Sequence, residues 1–161
     1  MKEKTNIVFA VVLIILMSCR TEKKSADISF YHWKSVLNIS KEEVDYLNNL
    51  KVKKLYIRFF DIHWNKEKET VMPIAQLDWK TFDINKVYEV VPVIYITNIA
   101  LKKCRDDEEI KNLAFETSVL LRQMIDKTDK DRIKINELQL DCDWSTETKD
   151  KFFRLTELLK K

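Results

Sequence analysis

From residue 28 the period of the hydrophobic positions switches several times, and each switch marks an element. Ile28 to Trp33, ISFYHW, reads as a short strand. Ser40-Lys41-Glu42-Glu43 is a capping box, with Ser40 at the N-cap and Glu43 reaching back, and Val44, Leu47 and Leu50 follow at helical spacing. Lys54 to Ile62 is a second strand. Leu55, Ile57 and Phe59 fall on one face, Tyr56, Arg58 and Phe60 on the other. Val87 to Thr97 is almost wholly apolar, as in a strand buried on both sides, and Pro92 within it implies an irregularity or a place where the ladder needs no donor. Asp106 with Glu109 makes a second capping box. It opens a long amphipathic helix marked by Ile110, Leu113, Ala114, Leu120, Leu121, Met124 and Ile125. Glu137 to Trp144 is the fourth strand, and Ser145 caps a last helix with Phe152, Phe153, Leu155, Leu158 and Leu159 on its inner side.

Between His63 and Lys86 no clean period appears, and Pro73 sits in the middle. This predicts a long loop, a kind of segment that is often functional. Its Trp64, Trp79 and Phe82 suit stacking on a sugar ring, although aromatic plugs of a groove or barrel end are commoner. Strands that alternate with helices imply a parallel sheet with right-handed crossovers. A small open α/β sheet fits, and so does part of a (β/α)8 barrel, which typically takes about 250 residues. With four strands, the expectation is an α/β protein with a parallel four-stranded sheet, the N-terminal half of a (β/α)8 barrel.

The first residues bear on location. Lys2 and Lys4 precede an unbroken apolar run from Ile7 to Met17, too short to span a bilayer and right for the core of a signal peptide. The run meets Leu16-Met17-Ser18-Cys19, which resembles a bacterial lipobox. The expected organisation is therefore a lipoprotein signal peptide over 1–18, a polar tether over 19–27 and the partial barrel domain over 28–161. Lipid on Cys19 would make the membrane a partner and place the chain in a bacterial cell envelope. Arg20 stands where an Asp would signal inner-membrane retention, which favours the outer membrane.

Composition narrows the chemistry. The chain has 161 residues, 45% hydrophobic and 34% charged, with a net charge of +3, which is ordinary for a globular domain. The two signs are interspersed, so nucleic acid is not expected as a partner. Glycine is absent, which excludes a P-loop and a dinucleotide fingerprint; no cofactor is expected. Turns fall to Asn and Asp, and Asn48-Asn49, Asn65 and Asn85 sit where turns are wanted. Beyond Cys19 only Cys104 and Cys142 remain, one at a loop or helix start and one in a strand, a poor setting for a disulfide.

The fourth strand carries the candidate chemistry. Alternation puts Gln139, Asp141 and Asp143 on one face and Leu138, Leu140, Cys142 and Trp144 on the other. Same-face neighbours lie roughly 7 Å apart, and two partly buried carboxylates that close tend to raise one pKa. A raised Asp143 can act as a general acid, with Asp141 beside it. The blander reading, and the favoured one, is an ion-pair plug in which Arg58 points into the lumen and Asp141 neutralises it. His32 and His63 are the only histidines. Asp61 with His63 offers an acid–base or metal pair, but a zinc site wants three or four ligands and no spacing signature supplies them, so no metal is expected.

FYHWK at Phe30 to Lys34, KLYIRFFDI at Lys54 to Ile62, VVPVIYITN at Val90 to Asn98 and ELQLDCDWS at Glu137 to Ser145 resemble the first four barrel strands of Bacteroides-type lipoproteins. The barrel of those longer proteins is similar to chitinase-like glycoside hydrolases of family 18. The resemblance implies a fourth strand of the form D-x-x-D-x-D-x-E with a terminal acid. One register matches Asp141 and Asp143 to the second and third Asp and leaves Ser145 in place of the Glu. The other, two residues earlier, makes Asp143 the acid, supported by Asp141. Neither reproduces the motif. Asp141 and Asp143 are thus the catalytic candidates, and Arg58, Asp61, Gln139 and Trp144 the substrate-binding ones. The expected function is a lipid-anchored envelope protein with a glycosidase-like half-barrel, inactive as the chain stands. The alternatives are a carbohydrate-active hydrolase using Asp141 and Asp143, and a noncatalytic surface lipoprotein that binds glycan or protein. A shortened remnant of a longer barrel would bare a parallel sheet edge. A second copy would relieve it, though nothing in the sequence demands one.

Overall fold

A computed structural model describes residues 26–74, 76–81, 88–128 and 133–160. The expected signal peptide, Cys19, most of the tether, Phe82, Asn85 and Val87 lie outside them. The described elements are β1 (Ser29–His32), β2 (Val36–Asn38), α1 (Lys41–Asn49), β3 (Lys54–Asn65), β4 (Thr70–Ile74), β5 (Asp78–Thr81), β6 (Tyr88–Ile96), α2 (Asn98–Lys103), α3 (Asp107–Asp126), β7 (Ile133–Lys134), β8 (Gln139–Asp141) and α4 (Lys149–Leu159). None of these helices is long and apolar enough to cross a membrane.

The protein is mixed α/β, built on a parallel sheet whose four lanes run β1, β3, β6 and then β7 with β8. The last two strands share one lane, because both pair with the side of β6 that β3 leaves free. The sheet is curled into a half-barrel. In a flat sheet the first and fourth lanes would lie about 14 Å apart, with side chains projecting side by side. Here the Tyr31 hydroxyl on β1 donates to Gln139 Oε1 on β8 at 2.6 Å, across the concave face.

Local chemistry explains the elements. Ser40 Oγ accepts from the Glu43 amide at 3.2 Å and the Glu43 carboxylate accepts from the Ser40 amide at 2.7 Å, the full box that the sequence predicts. At the other end of α1, Val52 N–H donates to Leu47 O and Lys51 N–H to Asn48 O. That is a Schellman closure, and Lys51 takes its left-handed position at φ 56°, where glycine is usual. Asn48 and Asn49 are helical, so this turn is not theirs. Asn65 does turn the chain: its Oδ1 accepts from the amides of Glu67 and Lys68. The core lies between the convex face of the sheet and the helices, with Leu55, Ile57, Phe59, Phe60 and Ile62 of β3 against Val90, Ile94 and Ile96 of β6 and Leu101, Ile110, Leu113 and Leu155 of the helices.

Several expectations are corrected. The main sheet has six strands rather than four, because its fourth lane is split into β7 and β8 and because the supposed loop from His63 to Lys86 contains β4, an antiparallel hairpin partner of β3; the same segment also holds β5, which pairs with β2 in a small second sheet. Long-range pairing, which local period cannot reveal, orders that segment. The β3–β6 register skips Phe59, opposite the step from Val93 to Ile94 on the facing strand, so β3 carries a bulge. Phe59 and Phe60 are both fully buried, and Phe60 does not share the face of Tyr56 and Arg58. The regular part of the fourth strand is only Gln139–Asp141. Thr148, not Ser145, precedes α4; the Ser145 carbonyl accepts from the amides of Thr148 and Lys149, and the Thr148 hydroxyl donates to Asn98 Oδ1 at 2.7 Å. Asp106 does cap α3, but the Glu109 carboxylate returns to the Arg105 amide. Phe153 on α4 is exposed, not inward. Cys104 and Cys142 are free thiols.

Candidate functional site

Strand parity sorts the inner face from floor to rim. At the N-terminal floor, Lys54 on β3 bridges Glu89 of β6 at 3.4 Å and Glu137, between β7 and β8, at 2.6 Å. Glu137 and then Glu89 hold the Lys54 ammonium above its usual range. This tie across three lanes closes the bottom of the concavity with paired charge.

Above it lies an aromatic ladder. Tyr31 stacks on Tyr56 with ring centroids 4.7 Å apart and on Trp33 at 5.4 Å, both nearly parallel. The register sets Tyr31 opposite Tyr56, and alternation carries Trp33 to the same side. Trp33 ends the stack with 45% of its surface exposed.

The bulge governs the next layer. Slipping one residue at Phe59 turns Asp61, rather than Phe60, to the side of Arg58. Arg58 Nε donates to Asp61 Oδ1 at 2.6 Å, its Nη2 donates to Oδ2, and its Nη1 donates to the Trp33 carbonyl at 3.2 Å. Asp61 is only 3% exposed. Its hydrogen bonds hold the Arg58 guanidinium above its ordinary value, against the pull of burial. A polar plug is thus present with a different partner: Asp61, not the expected Asp141, neutralises Arg58. The pair also pins the β1–β2 turn and so fixes Trp33.

At the C-terminal rim, the end where barrel enzymes carry their chemistry, Asp61 faces Tyr95 and Tyr95 faces Asp141 in register. His63 Nε2 lies 3.8 Å from Asp61 Oδ2, too far for a hydrogen bond, and its ring is 6.5 Å from that of Tyr95. Asp141 is half-buried and makes no ion pair among the described residues.

Of the predicted site residues, Arg58, Asp61, Gln139 and Asp141 share the concave side. Asp143 lies beyond the end of β8 and is exposed, so strand alternation no longer dictates its direction. Trp144 packs on Phe152 and Phe153 of α4, with centroids 6.4 and 5.9 Å away. Trp79 meets Phe59 edge-on, and Lys103 sits over the Trp64 ring. The Cys142 thiol is pushed up to about 11 by burial, then by Asp143 and Asp141, which keeps it protonated and a poor nucleophile. Among the described residues no group of three His, Cys, Asp or Glu side chains is placed to hold a metal ion.

Sequence reasoning missed Tyr31, Trp33, Tyr56 and Tyr95 as site residues. Their signal was present, because each shares strand parity with a polar residue of the inner face. A surface of stacked rings bordered by a fixed guanidinium, an amide and a carboxylate suits a polyhydroxylated ligand, which offers C–H faces to rings and hydroxyls to polar groups. Comparison with protein-family models, curated proteins and solved structures finds no match to this chain.

Proposed function

We propose that the chain is a lipid-anchored cell-envelope protein whose half-barrel is the first half of a glycosidase-like (β/α)8 barrel and binds glycan without cleaving it. The ladder of Trp33, Tyr31 and Tyr56 beside the Arg58–Asp61 pair carries the reading. It offers a rigid sugar-stacking wall whose outermost ring is open. Lane order supports the barrel: among the described strands the parallel lanes advance in one direction along the chain, as in a barrel, with no reversal of the doubly wound kind. Anchoring rests on the Leu16 to Cys19 tetrad. Binding without turnover fits the carboxylates, since Asp61 is committed to Arg58 and Asp143 lies outside the strand, which leaves Asp141, among the described residues at this rim, without the second carboxylate that the usual scheme needs. Hydrolysis by Asp141 and Asp143 is the second reading, favoured by the half-buried position of Asp141 beside Tyr95 at the rim.

A co-sedimentation screen on insoluble amino-sugar polymers, with reducing-sugar release measured in parallel, separates the readings. The full chain is expected to be retained, Trp33→Ala to be released, and no reducing ends to form. Sugar release that disappears in Asp143→Asn would establish the hydrolase instead. No retention on any polymer would overturn both.

A further inference from the structure

The charges of the concave face do not cancel. Lys54 at the floor is shared by Glu89 and Glu137, and Arg58 is taken up by Asp61. Asp141, half-buried on β8, is joined to neither cation. The described residues of this face thus set four carboxylates, Glu89, Glu137, Asp61 and Asp141, against two cations, Lys54 and Arg58. His63 and the tyrosines supply no permanent positive charge. Asp141 also sits where a ligand would meet it. The Tyr31–Gln139 hydrogen bond joins β1 to β8 across the face. From that pair the parallel strands step toward the C-terminal rim, to Asp141 on β8 and, along the ring stack, to Trp33 after β1. The open Trp33 ring and the Asp141 carboxylate therefore flank one mouth. Tyr31 and Tyr56 lie behind Trp33 in the stack, so the mouth has one flat aromatic face rather than a cage of rings. A flat face suits the C–H face of a pyranose, whereas a cage suits a quaternary ammonium.

We propose that the concave face selects a saccharide bearing a protonated amine, whose ring stacks on Trp33 while Asp141 accepts a hydrogen bond from its ammonium group. This rests on the glycan-binding reading and narrows the ligand to one charge class. A carboxylate partly withdrawn from water gains most from a cation that donates to it. A neutral sugar offers Asp141 only hydroxyls. A uronic acid brings another negative charge to a face that already carries an excess. The N-acetylated form of the same amino sugar keeps the pyranose face and loses the cation, so the two forms isolate the charge.

Titration calorimetry of the full chain with a glucosamine hexamer and with its fully N-acetylated counterpart, at mildly acidic pH, tests this. The free-amine hexamer should bind about tenfold more tightly, the effect of one hydrogen bond to a charged group. Added salt should shrink that ratio. Asp141→Asn should bring the two affinities within about a factor of two, and Asp141→Glu should keep the preference. The salt dependence is read on wild type, so it stands even where a variant fails to fold. Equal or tighter binding of the N-acetylated hexamer, or a preference that survives in Asp141→Asn, would overturn the proposal and leave glycan binding standing. No binding of either hexamer would overturn both.

Discussion

Arg58 enters the concave face as a charge that needs a partner, and a single skipped residue decides which carboxylate supplies it. With unbroken alternation Phe60 would have stood beside Arg58, and Asp141, two lanes along the sheet, looked like the neutralising group. The bulge at Phe59 delivers Asp61 instead, from the same strand and three residues away. The charge of Arg58 was legible because its neighbours alternate. Its partner was not, because nothing in FFDI distinguishes a bulge from a regular strand. A double-mutant cycle measures the pair. Asp61→Asn and Arg58→Met should each cost about 2 kcal/mol in urea unfolding, less than a fully buried pair because Arg58 is partly solvated. The double variant should cost less than the sum by about 1 kcal/mol or more. Strict additivity would mean that the two side chains merely lie close.

The helices show which interactions are local. The Ser40–Glu43 box could be read directly, since both partners lie within one turn. The start of α4 could not, because Thr148 is held by Asn98, fifty residues earlier. The docking of α4 on α3 is equally non-local: Arg154 Nε donates to Asp107 Oδ1 at 2.8 Å, and Lys111 stands 3.1 Å from the same carboxylate. Arg154 first, then Lys111, lowers the Asp107 carboxyl to about 2. A carboxylate with a depressed folded-state pKa contributes stability above its unfolded value, near 3.9, and loses it as pH falls toward 2. Thermal melts should therefore place wild type above Asp107→Asn at pH 5 to 7, with the gap closing between about pH 4 and pH 2. A gap that persists at pH 2 would show that Asp107 acts through something other than its charge.

For the whole molecule, the alternation of strands and helices sufficed for an α/β protein with four parallel lanes, and β6 was legible as a buried strand from VVPVIYI alone. The antiparallel β4, the β2–β5 sheet and the curl depend on contacts between segments far apart in the chain. The aromatic ladder belongs with them, since Tyr31, Tyr56 and Gln139 meet only once the lanes bend. The curl turns scattered polar and aromatic positions into one surface, and the assigned role depends on that surface. Calorimetric titration of a soluble amino-sugar oligosaccharide into the full chain tests it most directly, with Phe115→Ala, at an exposed position of α3, as the control. Trp33→Ala should bind about tenfold more weakly, ~1.4 kcal/mol for one lost stacking face, and Phe115→Ala should match wild type. Undiminished affinity in Trp33→Ala, or a loss confined to Phe115→Ala, would contradict the concave face as the binding surface.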